Sequence, residues 1–471
     1  MSADVVSDLD RFFNANSGRI RDELFQLLRI ASVSTRPEHA PDVARAAEWL
    51  AGSLRTAGMS VEVHATAGLP IVLGEWRGAP AGAPTVLVYG HYDVQPAEPL
   101  GEWDSPPFEP SVRKGRVYAR GATDDKGQLF IHVKAIEAWL QTRGALPVNV
   151  VFLVEGEEET GSEHLVPFLR QHVERLRCDA VVVSDSAMFA PGLPALLTSL
   201  RGMAYFRIAV AGPDTDLHSG SYGGAVVNPV TVLARILASL HDEDGRVAVA
   251  GFYDRCREWP AELRQQVAGL PFDEDAFRDE AAVPELGGEA GYSTLERLWM
   301  RPACDVHGII GGYTGAGTKT VLPARASASL SCRLVADQDP AEIDRLFRAH
   351  VQRVAPPGVR VRLDLVHASP AWQARLEGPL LAAARRALAA TFEREPVLVG
   401  EGASIPVIGD FDRIFGAPVL LLGFGLPGEN AHGPNEWLDL GNFERGLRTV
   451  ARLWAELAAA TAAPLTGPRS P

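Results

Sequence analysis

The stretch Thr85-Val-Leu-Val-Tyr-Gly-His-Tyr-Asp93 decides the fold. Residues 85–89 carry almost no polarity, and the run is short, so it reads as a strand buried on both faces. Such strands belong to a largely parallel sheet covered by helices. The run ends in Gly90, His91 and Asp93, at the carboxyl end where open α/β sheets bind ligands. Working outward, the pattern recurs. Residues 148–154 lead to Glu155-Gly-Glu-Glu-Glu159, and Ala180–Val183 leads to Asp185. Helices are expected between the strands at Lys126–Arg143 and 163–176. Another buried strand at 417–424 is followed closely by His432. Ahead of them, 6–58 reads as helical and 61–63 and 71–75 as short strands.

The middle of the chain has a different texture. Residues 205–211, 326–334 and 359–365 alternate with period two, like half-exposed strands, with helices expected at 229–241 and 340–351. That pattern describes a separate α+β domain inserted into an α/β domain: 1–202, then 203–368, then 369–471. The tail from about residue 458, rich in Ala, Thr and Pro, reads as frayed.

Composition excludes several functions. With 45 Lys+Arg against 59 Asp+Glu, the net charge of −14 disfavours nucleic-acid or anionic-membrane partners, which call for clustered cations. The four cysteines (Cys178, Cys256, Cys304, Cys332) are far apart, so reduced thiols in a cytoplasmic chain are expected rather than a disulfide framework or cysteine–zinc site. The first residues lack the basic and apolar regions of a signal peptide, and no run of about 18 apolar residues exists to span a membrane.

His91, Asp93, Asp124, Asp125, the 155–159 acids, Asp185 and His432 thus fall at the ends of successive elements. Each has an ordinary reading alone: a chance His-x-Asp pair, a solvated helix start, an N-cap aspartate. Their joint appearance is what points to a metal, because gathered carboxylates repel unless a cation sits among them. Imidazole with carboxylate and no thiolate suits Zn²⁺, with Mn²⁺ or Co²⁺ also possible. Two metals can be held if one carboxylate bridges. Asp93, two residues from His91, is placed to fix its tautomer.

Gly90-His-Tyr-Asp-Val-Gln-Pro96, Arg120-Gly-Ala-Thr-Asp-Asp-Lys-Gly127, Glu157-Glu-Glu-Thr-Gly-Ser162, Asp216-Leu-His-Ser-Gly-Ser-Tyr-Gly-Gly224 and Asn430-Ala-His-Gly-Pro-Asn-Glu436 together resemble the M20 family of metallopeptidases. The resemblance runs from about Ile30 to Trp454. Trp103-Asp-Ser-Pro-Pro-Phe-Glu-Pro110 and Glu401-Gly-Ala-Ser-Ile-Pro-Val407 resemble its dipeptidase branch, which includes carnosinases and cytosolic non-specific dipeptidases. The resemblance implies a two-metal exopeptidase fold with a ferredoxin-like lid and dimerisation insert, and a homodimer. It aligns Asp124 with the bridging aspartate, His91 and Asp185 with one metal, and Glu159 and His432 with the other. The acidic triplet allows two registers, with Glu157 or Glu158 as base; the family pattern Glu-Glu-x-Gly-Ser selects Glu158.

On this alignment Glu158 takes the proton of a metal-bridging water and passes it to the departing amine. His218 matches a histidine that reaches across the dimer to the carbonyl oxygen. Arg333 matches the position that takes the substrate carboxylate, and Thr320 and Ser404 match substrate-binding positions. Alternatives are an N-acyl amino acid amidohydrolase or a carboxypeptidase with the same chemistry, or a non-catalytic metal- and ligand-binding protein. Gly311-Gly-Tyr-Thr-Gly-Ala-Gly-Thr-Lys-Thr320 departs from a phosphate loop, since Thr318 stands where glycine must precede the lysine. It reads as a flexible segment with no clear strand before it and no helix after it.

Overall fold

A computed structural model of the chain describes residues 3–403 and 405–460. They form two compact units. One comprises 3–198, 374–399 and 407–460; the other comprises 199–373, 400–403 and 405–406.

The first unit is built on a mixed sheet. Its order is Ser60–His64, Ile71–Trp76, Asn149–Glu155, Thr85–His91, Ala180–Val183, Val419–Leu421, Ala195–Leu200. Thr85–His91 sits centrally and runs parallel to both neighbours, and Val419–Leu421 is parallel to Ala180–Val183. The strands toward either edge are antiparallel. Central strands buried on both faces account for their unbroken apolar sequence. Helices Ala3–Leu28, Ala40–Ala57, Lys126–Arg143, Pro379–Phe392 and Leu440–Ala460 supply the rest of the core. Lys126–Arg143 is buried continuously through Trp139, with Lys134 and Glu137 paired at 2.7 Å inside it. The expected helix at 163–176 is confined to Leu165–Gln171. Residues 458–460 complete the last helix, and the remainder of the tail, 461–471, lies outside the described residues.

Register does the positioning. His91 lies opposite Glu155, and Tyr89 opposite Val183, so the segments leaving these three strands start at one end of the sheet.

The second unit follows a βαββαβ order, the ferredoxin-like arrangement. Its antiparallel sheet runs Ala303–Gly311, Arg325–Leu334, Gly202–Ala211, Arg360–Ser369. Helices Pro229–Ala238 and Pro340–Val354, capped by Asn228 and Asp339, cover its apolar face. Phe206 stacks on Phe347 at 4.9 Å in that core. Ala303–Gly311 is an edge strand with Ile309 62% and Ile310 74% exposed. It directly precedes the glycine-rich 311–320 segment, contrary to expectation; exposure on both faces leaves it no period-two signature. A short strand, Val321–Leu322, follows the segment instead of a helix.

Candidate metal centre

Seven of the expected residues converge in the first unit. Asp124 lies among them with its two carboxylate oxygens turned to different histidines. Its Oδ1 is 3.1 Å from His91 Nε2, and its Oδ2 is 2.8 Å from His432 Nε2. Asp185 Oδ2 is 3.9 Å from His91 Nε2, and Glu159 Oε2 is 3.3 Å from His432 Nε2. Two groups therefore have ligand atoms within 4.8 Å of one another: His91, Asp124 and Asp185, and Asp124, Glu159 and His432.

Each side chain is delivered by its local structure. His91 is the last residue of its strand and fully buried; its Nδ1 is 3.1 Å from the Asp93 carbonyl and 3.3 Å from Asp93 Oδ1. Asp93 also accepts from the backbone N–H groups of Glu158 and Glu159, at 3.3 and 3.1 Å. One carboxylate thus orients a histidine and anchors the Glu158–Thr160 turn. Gly90 is required beside it, since a Cβ there would lie 2.7 Å from Asp125 Oδ2, which accepts from the His91 N–H. The Asp124–Asp125 peptide bond is cis.

The electrostatics are those of crowded buried acids. Burial pushes Glu158 up to about 8; His91 pulls the other way, while Asp185, Glu159 and Asp124 add to the rise. Asp185 is pushed up to about 7 by burial and by Asp124. Burial alone would raise Asp124, but its bonds to His432 and His91 hold it well below the usual carboxylate range. Bonds to Asp124 and Glu159 raise His432 to about 10. Burial works against a charged His91, yet its bonds to Asp124 and Asp93 outweigh it and raise its pKa well above the usual value. Glu159 Oε1 is buried with no hydrogen-bond partner. An orphaned carboxylate oxygen beside a second carboxylate and an imidazole fits a cation.

Glu157 is turned elsewhere. Its carboxylate accepts from Leu69 N at 2.9 Å and meets His164 Nδ1 at 2.9 Å. His132, buried on its helix, bonds Ser184 Oγ at 2.7 Å, a packing role.

In the second unit, His218 is exposed, pairs in register with Val321, and accepts from Gly220 N through Nδ1 at 3.1 Å. Thr320 is its neighbour there; the Thr320 carbonyl accepts from Ser219 N at 3.2 Å. Arg333 is half-buried on Arg325–Leu334, opposite Met203. Ser404 lies outside the described residues.

Sequence reasoning gave no role to several residues that build the centre. Gln95 Nε2 donates to Glu159 Oε2 at 2.7 Å. Glu155, pushed up to about 7 by burial, accepts from Tyr89 at 2.6 Å and Ser162 at 2.8 Å. Glu429 accepts from Thr123 Oγ1, and Glu436 pairs with Arg120. Gln95, Arg120, Thr123, Glu155 and Glu436 lie within the recurring motifs, which was the available signal; Glu429 lies outside them.

A parallel-sheet edge bearing two overlapping imidazole–carboxylate groups and a raised glutamate defines a metal-dependent hydrolase. Residues 87–456 match the model of peptidase family M20/M25/M40. The chain belongs to that family. The Cys-Gly metallodipeptidase dug1 of Schizosaccharomyces pombe is 33% identical over 451 residues, 92% of this chain and 94% of its own length. The Beta-Ala-His dipeptidase of Rattus norvegicus is 30% identical over 445 residues, 93% of this chain and 88% of its own. Among solved structures, the M20 family metallo-carboxypeptidase Sso-CP2 from Sulfolobus solfataricus superimposes with a TM-score of 0.81 at 30% identity, covering 93% of this chain and 99% of that one. Among the described residues, no helix is long and apolar enough to cross a membrane.

Proposed function

We propose that the chain is a two-metal dipeptidase that hydrolyses dipeptides or short peptides bearing a free C-terminal carboxylate. The observation that carries this is Asp124, whose two oxygens face His91 and His432 separately. His91 and Asp185 would hold one cation and Glu159 and His432 the other, with Asp124 shared; Zn²⁺ is proposed ahead of Mn²⁺ and Co²⁺. Such cations, when bound, lower the pKa of a coordinated water and polarise a carbonyl. Glu158 is the proposed general base. It accepts a proton as water adds to the peptide carbonyl, then gives it to the departing amine as the C–N bond breaks. Cations held there would offset the charges of Asp185, Glu159 and Asp124 and so bring Glu158 back toward its ionised form. Asp93 keeps His91 and the Glu158 turn in place.

In the second unit, Arg333 is proposed to take the substrate carboxylate, with Thr320 and Ser404 as further substrate contacts and His218 as the donor supplied by a partner subunit. The unit is proposed as lid and dimerisation domain. The unpaired edge strand Ala303–Gly311, with Ile309 and Ile310 exposed, supports a homodimer. The four free thiols support a cytoplasmic setting. Dipeptide substrates are supported by the names of the curated relatives; the second reading, release of a C-terminal residue from longer peptides, by that of the Sulfolobus structure.

A panel of dipeptides, tripeptides and N-acetyl amino acids, run with metal analysis on the same preparation, tests the choice. Turnover is expected on dipeptides with two metals per chain. Activity confined to longer peptides or to acetyl amino acids would replace the reading.

A further inference from the structure

The loop carrying His432 has left-handed backbone at three residues. Asn430, His432 and Asn435 have φ of 55°, 64° and 57°. Asn and His tolerate this left-handed region better than other residues with a Cβ, but three such residues within six positions define one particular loop shape. Burial of the imidazole is not the cause, because the His432 side chain is 55% exposed.

Enforcement comes from a buried ion pair. Arg120, 1% exposed, donates through Nη2 to the His432 carbonyl at 2.9 Å and to the Pro96 carbonyl at 3.1 Å. Through Nη1 it donates to Glu436 Oε2 at 2.7 Å. Glu436 accepts in turn from the N–H groups of Gly121 at 3.0 Å, Thr123 at 2.9 Å and Asp124 at 3.2 Å. The backbone of His432 is therefore tied through two side chains to the backbone of Asp124, the residue its imidazole faces. From the other side, Asn435 accepts from Asp104 N and donates to the Glu102 carbonyl, at 2.8 and 2.9 Å. The Trp103 ring lies 5.5 Å from the Arg120 guanidinium.

We propose that Arg120 and Glu436 are positioning residues that set His432 against Asp124, and so govern the affinity of the Asp124–Glu159–His432 group for its cation. The His91–Asp124–Asp185 group depends on the pair less, since it shares Asp124 but takes its other two ligands from strand ends. This deepens the two-metal reading and rests on it. A guanidinium suits the task because its fork serves three acceptors in fixed directions, where an ammonium is a single point.

Full-length wild type, Arg120→Lys and Glu436→Gln, stripped by chelator, are titrated with Co²⁺ by calorimetry and visible absorption. Wild type should bind two Co²⁺ per chain; fewer would overturn the two-metal reading itself. Arg120→Lys keeps the charge facing Glu436 but gives up the fork. It should fold, hold the tighter cation unchanged, and weaken the other about 10- to 100-fold. Its kcat should fall with KM little altered, and millimolar Co²⁺ should restore kcat. Two unchanged isotherms, or two cations weakened equally, would overturn the positioning role while leaving the two-metal reading standing. Should Arg120→Lys not fold, Glu436→Gln must show the selective loss; if neither folds, the pair serves folding and the inference fails.

Discussion

His91 and His432 face the same carboxylate from different kinds of scaffold. His91 ends a central strand, is fully buried, and is fixed by Asp93 from one side and by the Asp125 carboxylate at its own N–H. His432 stands on a loop with left-handed backbone, half exposed, held by hydrogen bonds that come from residues more than 300 positions away. One side of the centre is therefore set by sheet register, which cannot slip without reversing every buried side chain. The other side is set by side chains gripping backbone, and regions held that way open at lower cost. Two cations bound side by side should differ in affinity for that reason.

Asp124 is common to both sides, so its loss erases the difference altogether. Asp124→Ala should leave no tightly bound metal and bring turnover to background, a fall on the order of 10⁶ or more. A single tight cation surviving with activity would show that Asp124 does not bridge. Glu158→Gln should instead separate binding from chemistry. Metal content is expected to stay at two per chain while kcat falls about 10²- to 10⁴-fold. Normal turnover would remove Glu158 from the base role.

The same contrast governs what could be read from sequence. His91, the 155–159 acids and Asp185 were legible because strand ends in a parallel sheet share an edge, and apolar runs mark the strands. The alternating insert was legible for the same reason, being half-exposed strands with period two. The clamps on the loop side were not. Arg120 meets Glu436 across 316 positions and Thr123 meets Glu429 across 306, and no local pattern announces such a pairing. Nor does periodicity describe Ala303–Gly311, an edge strand exposed on both faces. Glu157 and Glu158 look alike in sequence because what separates them is Leu69, 88 residues before Glu157.

Protons stand in for cations when the centre is stripped, and this gives a pH signature. Burial, with neighbouring acids, raises Asp185 to about 7 and Glu158 to about 8 in the folded chain. The folded state then binds more protons than the unfolded one from the ordinary carboxylate range up to about pH 8, so its stability falls as pH rises through that window. His432 adds to this. Its pKa is raised to about 10 by Asp124 and Glu159, so its contribution is complete below the ordinary histidine value and lost as pH rises toward 10. Cations displace these protons. The gain in Tm on adding Zn²⁺ should therefore be larger at pH 8 than at pH 5. A gain that shrinks with pH would mean the acids are not what the metal replaces. Loss of the pH dependence above 8 alone in His432→Ala would assign that part to the loop side.

The smallest effect is expected at Glu157, one residue from the proposed base. Its Oε1 accepts from Leu69 N at 2.9 Å, and its oxygens lie 3.1 and 2.9 Å from His164 Nδ1. Gly68 leaves the room for this, since a Cβ there would fall 1.7 Å from Oε1. The carboxylate thus fastens the 66–69 turn to the start of the Leu165–Gln171 helix. In Glu157→Gln one oxygen can still take the Leu69 N–H, but the amide cannot serve both remaining His164 contacts. The expected cost is about 1–3 kcal/mol of stability, that of leaving a buried polar group short of a partner. Metal content should be unchanged and turnover within about tenfold of wild type, equivalent to about 1.4 kcal/mol in the barrier. Because His164 is the partner lost, His164→Ala should cost less in the Glu157→Gln background than in wild type. A collapse of turnover at Glu157 together with a mild effect at Glu158 would exchange the two roles, and the Glu158–Thr160 turn would then have to rotate away from Asp93 for the base to reach the metals.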